Sequence, residues 1–395
     1  MSSKVVGGSL LIAGTAIGAG VLAVPVLTAE GGFFPTTCLY ILSWLFSIAS
    51  GLCLLEVMTW MKGKQQVNML SMAENTLGQV GKILMCLAYL FLFYSLLIAY
   101  FCEGGNMLIR VFGCGGLNAP WLRNYGPMAF ACIMCPILLS KTVVADYCNR
   151  IFTLGLVVAF GAFCVLGCTK MHMGLLYRCS WVSSLNGLPI LFLAFGFQSV
   201  IPTLYYYMEE NVRDIRRAIF LGSLLPLVLY ITWEAIVLGG VPLGILRATK
   251  LQGCTAVEAL KQALQCSGVY IAGEFFGFFA LVSSFIGVAL GVMDFLVDGL
   301  KWKKKTSKFS IFFLAFIVPL AWSMCYPEIV LQCLNYAGGL GAALMTGVFP
   351  VWMVWEGRYI RKYHSAKQLL PGGKITLALM LFVIIINVVS LYYKF

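Results

Sequence analysis

The chain carries one long apolar run after another, each close to the length of a membrane crossing. The runs fall at roughly 7–29, 33–60, 83–109, 126–143, 151–169, 188–208, 218–242, 270–297, 309–326, 329–355 and 375–393. A helix needs about 20 apolar residues to cross the hydrocarbon of a bilayer. Inside lipid every backbone N–H and C=O must be satisfied by protein, which leaves helices or a closed barrel. Barrel strands alternate apolar and polar residues, and these runs do not alternate. Eleven such runs in 395 residues predict an all-α polytopic membrane protein, with 1–395 as a single transmembrane domain and no linker. Charge supports this: only 11% of residues are charged, against roughly a quarter in soluble domains. That is too little to clothe a surface facing water.

The charges present are sorted by loop. With the N-terminus in the cytoplasm, 19 of the 27 basic residues lie on the inner side, among them Lys62, Lys64, Lys82, Arg213, Arg216, Arg217 and the cluster Lys301 to Lys308. Eight lie on the outer side. Positive charge is retained on the cytoplasmic side of a membrane. The expectation is therefore a multi-pass protein of the cell inner (cytoplasmic) membrane with a cytoplasmic N-terminus. The net charge of +12 then reads as topological, with lipid and not nucleic acid as the partner. Lys4 is followed by an apolar segment that continues into more membrane, so no cleavable signal is expected. In the long outer loop 243–269, Thr255 to Cys266 reads as a short helix, either a vestibule cap or plain surface.

Several function classes lack their residues. The only histidines are His172 and His364, and the 15 cysteines are scattered without paired spacing. No nucleophile elbow or His-Glu zinc motif is present. The expectation is no enzyme, no catalytic or metal residues, and no cofactor. A channel is the alternative class; it would lack saturable, counterflow-capable uptake. Glu103, Glu234 and Asp294 stand out among the acids within the apolar runs, where a charge costs about 3 kcal/mol or more. Glu103 and Asp294 read as near-interface or paired, Asp294 with Lys301 or a neighbour. Glu234 lies deeper, beside Trp233, and is the candidate for proton coupling.

Two runs are interrupted. The first contains Gly14-Thr15-Ala16-Ile17-Gly18-Ala19-Gly20 with Pro25 after it, and the sixth contains Ala194-Phe195-Gly196-Phe197-Gln198-Ser199 with Pro202 after it. Interior glycines each weaken a helix by about 1 kcal/mol. A shift of 180 residues places Gly14 on Ala194, Ala16 on Gly196 and Glu30 on Glu210. Breaks at matching places in two halves point to a transport site between inverted repeats. Freed N–H groups at the start of a half-helix suit a carboxylate, and freed carbonyls suit an ammonium or a metal cation. A zwitterionic amino acid meets both demands. Gly14 with Gly18, and Gly287 with Gly291, also fit the small-xxx-small pattern of close helix packing.

The stretch from Gly14 to Gly20 with Leu22 and Pro25 resembles the opening signature of the hydroxy and aromatic amino acid permeases, its tyrosine-specific (tyrosine/tryptophan) branch most, within the amino acid–polyamine–cation superfamily. Phe195-Gly196-Phe197, Ser199-Val200-Ile201-Pro202 and Ser284-Phe285-Ile286-Gly287-Val288-Ala289-Leu290-Gly291 with Asp294 carry the same likeness. The resemblance implies a LeuT-type five-plus-five inverted repeat with broken first and sixth helices, repeats at approximately 5–170 and 187–355, and an extra helix at 375–393. It implies import of tyrosine, tryptophan or phenylalanine by cation symport; another neutral amino acid is the competing substrate. It places the substrate near Thr15, Gly18, Ala19, Gly20, Tyr94, Tyr100, Phe195, Gly196, Phe197, Gln198 and Ser284. Gly14, Ile17, Ala280, Ser283 and Ser284 resemble the ligands of a sodium site. Many proton-coupled relatives carry a lysine in the fifth helix, and this chain has none between Arg150 and Lys170. The coupling ion, H+ or Na+, is left open.

Overall fold

The computed structural model describes residues 3–18, 20–63, 67–111, 120–140, 142–264, 268–299, 308–363 and 368–392. Each apolar run forms a helix, and no strand occurs among the described residues. Eight helices are long and apolar enough to cross a bilayer, and the bent pair Lys4–Ala16 and Gly20–Thr28 makes a ninth. Two shorter apolar helices, Asn124–Leu139 and Ser310–Cys325, take the fourth and ninth places in chain order.

In chain order, span 1 is Ser3–Ala16 with Gly20–Thr28, span 2 is Phe33–Trp60, span 3 is Met69–Val111, and span 4 is Pro120–Leu139. Span 5 is Thr142–Cys168, span 6 is Leu188–Ala194 with Ile201–Tyr207, span 7 is Val212–Gly240, and span 8 is Gly268–Gly299. Span 9 is Lys308–Cys325, span 10 runs from Val330 to Ile360, and span 11 is Gly373–Tyr392. Span 3 starts earlier than its apolar run because its first turns carry Ser71, Glu74 and Gln79; Gly78, at φ 77°, separates that polar piece from the membrane helix.

The glycines that permit close packing are not the expected pairs. A Cβ on Gly14 or Gly287 would meet nothing within 4 Å, and one on Gly291 would make only ordinary contact with Phe93. The tight positions join spans 1 and 7, where a Cβ on Gly222 would lie 2.6 Å from the Ser9 carbonyl oxygen, and line span 10. There a Cβ on Gly338 would overlap the Pro189 carbonyl oxygen, so span 10 lies directly on the backbone of span 6. Residues Ala337–Val348 of span 10 widen into a π-helix, an irregularity common at functional sites.

Buried ion pairs clamp the two ends. Arg358 donates two 2.6 Å hydrogen bonds to Glu56, which also accepts from the Leu369 N–H at 2.8 Å. This joins spans 2 and 10 to the segment entering span 11. At the other end Arg110 bridges Glu103 at 3.1 Å and Glu274 at 3.2 Å, and the Thr255 hydroxyl donates to Glu103 at 3.1 Å. Glu103 is thus paired, as expected. The loop beyond span 7 forms two helices, Leu243–Leu251 and Ala256–Leu264, the second fastened through Thr255 to span 3. Lys301, the partner expected for Asp294, lies outside the described residues, as do His364 and most of the Lys301 to Lys308 cluster.

Candidate functional site

The two halves of span 1 meet at 56°. Ile17 and Gly18 leave the helix here; Ala19 lies outside the described residues. The bend frees carbonyls that lipid cannot satisfy, and side chains from other spans take them up. Tyr230 of span 7 donates its hydroxyl to the Ala16 carbonyl at 2.7 Å and also interacts with the Gly18 backbone. Ser284 of span 8 donates to the Ile17 carbonyl at 3.4 Å. A Cβ on Gly18 would lie 3.2 Å from Ser284 Oγ and 3.8 Å from the hydroxyl of Tyr100 in span 3. Three hydroxyls, from Tyr100, Tyr230 and Ser284, therefore gather round one glycine, and a residue with a side chain would crowd them apart.

Gly20 opens the second half-helix and faces Ile190 of span 6. Gly14 and Thr15 are exposed on the first half, where Thr15 donates to the Leu11 carbonyl. Of the proposed sodium ligands, Ile17 and Ser284 are brought together, while Ser283 donates to the Ala280 carbonyl at 3.3 Å on its own helix. Tyr94 donates to the Leu314 carbonyl of span 9 at 3.2 Å, away from the break.

Span 6 breaks at Phe195-Gly196-Phe197. Its amides turn back on the chain: Gly196 N–H donates to Leu193 and Phe197 N–H to Phe195. Both phenylalanines are fully buried. Phe195 stands edge-on to Tyr40 and Tyr230, with ring centroids 6.4 and 5.7 Å away, and those two tyrosines stack at 5.9 Å. Phe197 packs against Gly51 of span 2. Gln198 is 2% exposed, and neither end of its amide has a partner among the described residues. Leaving such a group unmatched costs about 1–3 kcal/mol, so Gln198 is an open polar position beside the break.

Glu234 is fully buried one turn beyond Tyr230. Its carboxyl meets the hydroxyls of Thr28, at 2.5 Å, and Tyr40, at 3.4 Å. Thr28 Oγ1 also lies 2.7 Å from the Val24 carbonyl oxygen. Among the described residues no cation pairs with Glu234. One helix, span 7, thus reaches the break of span 1 through Tyr230 and the end of its second half through Glu234. Sequence reasoning missed Tyr230, Tyr40 and Thr28. The only available signal was the four-residue spacing of Tyr230 and Glu234, which puts both on one helix face.

A profile of the tryptophan/tyrosine permease family matches residues 1–390. A tyrosine-specific transport system 1 of Haemophilus influenzae is 29% identical over 386 residues, covering 96% of this chain and 94% of that protein. A tryptophan-specific transport protein of the same organism is 27% identical, covering 98% and 96%. A glutamine transporter 2 of Aliivibrio fischeri is 26% identical, covering 96% and 97%. The crystal structure of MhsT in complex with L-phenylalanine superposes with a TM-score of 0.65 at 13% identity, over 98% of this chain and 97% of that one. This likeness shows the fold: LeuT-type, with spans 1 and 6 broken at corresponding places.

Proposed function

Because this chain belongs to the tryptophan/tyrosine permease family, we propose that it is a secondary active transporter that imports tyrosine and tryptophan, with phenylalanine as a further substrate, by cation symport and alternating access. The observation that carries this reading is the Gly18 break, ringed by the hydroxyls of Tyr100, Tyr230 and Ser284 and walled by Phe195. The substrate carboxylate faces the start of the Gly20–Thr28 half-helix, where the peptide dipoles leave partial positive charge. The ammonium faces the carbonyls freed at the two breaks. The ring lies against Phe195 and Tyr100, and the Gln198 amide offers a hydrogen bond to a phenol or indole. The protein sits in the inner membrane with its N-terminus in the cytoplasm, a reading supported by the asymmetry of its basic loops.

Coupling runs through a proton on Glu234. The Thr28 hydroxyl has one proton to give and two acceptors in reach, Val24 at 2.7 Å and Glu234 at 2.5 Å. Both contacts are satisfied when Glu234 is protonated and donates to Thr28, which then donates to Val24. Loss of that proton leaves a bare carboxylate in the protein interior, which is costly without a cation. Thr28 ends the half-helix whose start faces the substrate, so proton and substrate both act on that one segment. A Glu234→Gln variant is expected to lose accumulation driven by a pH gradient in proteoliposomes; accumulation at the wild-type level would exclude the proton role.

Sodium is a second reading, favoured by the Ile17 carbonyl and Ser284 hydroxyl 3.4 Å apart. Uptake that persists without sodium but stops when the pH gradient is collapsed removes it. Another neutral amino acid is the rival substrate, favoured by the glutamine-transporting relative. Competition of labelled tyrosine uptake by tryptophan, phenylalanine, glutamine and leucine decides this; glutamine or leucine competing as well as tyrosine overturns the aromatic assignment.

A further inference from the structure

Span 2 carries buried polar groups that nothing among the described residues satisfies. Thr36, Ser43 and Ser50 are buried, at 0%, 3% and 0% exposure, and none of their hydroxyls has a hydrogen-bond partner among the described residues. They recur every seven residues, so they share one face of the helix. Thr36 and Ser50 are separated by about 21 Å along the axis, at ~1.5 Å per residue.

That face is located by its neighbours. Tyr40 lies on its edge and turns toward Phe195, Tyr230 and Glu234. On one side Phe46 packs on Phe192 of span 6, at 4.7 Å between centroids. On the other, Gly51 packs on Phe197 beyond the break. The row therefore faces span 6, and the turn carrying Gln198, next to Phe197, stands near the level of Ser50. Gln198 adds two further unmatched polar atoms at that end.

Five unmatched polar atoms along one seam call for a common solvent. Buried polar groups are nearly always hydrogen-bonded, and internal water supplies the partners where side chains do not. We propose that a file of water molecules runs between span 2 and span 6, from Thr36 past Tyr40 and Ser43 to Ser50 and Gln198, and that it carries the proton to and from Glu234. This rests on the proton-coupled reading above. The transfer is a proton relay along hydrogen bonds: each water accepts one proton and passes one on, and no electron moves.

The groups facing Glu234 are Thr28 from span 1 and Tyr40 from span 2, with Tyr230 on its own helix. Spans 5 and 8 present Phe163 and Phe276 against the adjacent Trp233. No Lys, Arg or second carboxyl among the described residues competes for the proton. Tyr40 is the junction, because it touches Glu234 and shares the helix with the hydroxyl row.

The test is the triple variant Thr36→Val, Ser43→Ala, Ser50→Ala in proteoliposomes, with Glu234→Gln alongside. Net accumulation needs the proton to bind on one side and leave on the other, whereas tyrosine counterflow lets it stay bound. The triple variant is expected to lose at least tenfold in accumulation driven by a pH gradient and to keep counterflow within twofold. Loss of both activities together would make the row a packing feature and overturn the path. Wild-type accumulation by the triple variant beside a crippled Glu234→Gln would also overturn the path, leaving the proton role of Glu234 intact. Full accumulation by Glu234→Gln itself would remove the proton reading and, with it, the path.

Discussion

The two broken helices solve the same backbone problem in opposite ways. In span 1 the freed carbonyls of Ala16 and Ile17 are taken by hydroxyls from spans 7 and 8. In span 6 the freed amides bond within their own turn, and the space around them is filled by Phe195 and Phe197. A break whose partners sit on other helices changes whenever those helices move. A break that satisfies itself is a fixed wall. On the proposed function, span 1 is then the moving, ligand-sensing element and span 6 shapes the pocket, with Gln198 as a polar position beside that wall.

The comparison can be broken most sharply at its glycines. Gly18→Val should lower tyrosine uptake by about 100-fold, roughly 2.7 kcal/mol of transition-state free energy. A first carbon there already comes within 3.2 Å of Ser284 Oγ, and the methyls beyond it displace the hydroxyl ring. Initial-rate uptake, normalised to protein in the membrane, checks this. Next in size, Tyr230→Phe removes one donor from a buried carbonyl, a cost of about 1–3 kcal/mol, and should slow uptake about tenfold. An unchanged rate would mean that the first break does not depend on its neighbours.

Gln198→Leu should act on selectivity. It is expected to narrow the preference for tyrosine over phenylalanine by about tenfold, because a polar site discriminates against a substrate lacking the matching group. The ratio of uptake rates for the two substrates reports it. Gly196→Ala should cost less than about threefold, since the added carbon meets only the Leu193 carbonyl oxygen, at 3.1 Å, a contact that a shift of a few tenths of an ångström relieves. A loss as large as that of Gly18→Val would end the distinction between the two breaks.

The smallest effect is expected at the end of span 1. Glu30 accepts two 2.7 Å hydrogen bonds from Arg247, and that guanidinium holds its carboxyl below the usual glutamate range. A lowered carboxylate pKa contributes stability that is present above the ordinary value of about 4.3 and lost as pH falls through the folded-state value. Arg247→Gln should therefore lower the melting temperature slightly at neutral pH, with the gap closing under acid; exposed pairs of this kind contribute little. Its inverted-repeat counterpart, Glu210, pairs with Lys62 at 3.8 Å on the opposite face. The 180-residue shift that matched the two acids thus matched two ion-paired helix ends.

Much of the fold was legible because a bilayer leaves a chain few choices. Apolar run length placed all eleven spans, and the glycine density of residues 14–20 placed the first break within the described bend. The second was found at Phe195 to Phe197, where two aromatics flank a glycine. Packing glycines were not legible: Gly287 and Gly291 have the right spacing but face open or loosely filled space, whereas Gly338 lies against a backbone oxygen. Spacing says which residues share a face, not what that face meets.

The same limit held at the site. The resemblance named Gly18, Ser284 and Gln198 separately; that Ser284 approaches Gly18 and that the Gln198 amide is unmatched among the described residues came only from the structure. Tyr94 belongs to the same helix as Tyr100 but turns to span 9, because six residues amount to a rotation of about 240° on a helix of 3.6 residues per turn. The sequence by itself determined which segments are apolar enough to lie in lipid and where its backbone cannot stay helical, since both follow from local composition and the cost of unpaired peptide groups. Only the tertiary structure decided which groups satisfy those breaks: Tyr230, Ser284, Tyr40 and Thr28 arrive from helices distant in sequence. Hydrogen bonding depends on ångström-scale approach between elements, which no pattern within one element records.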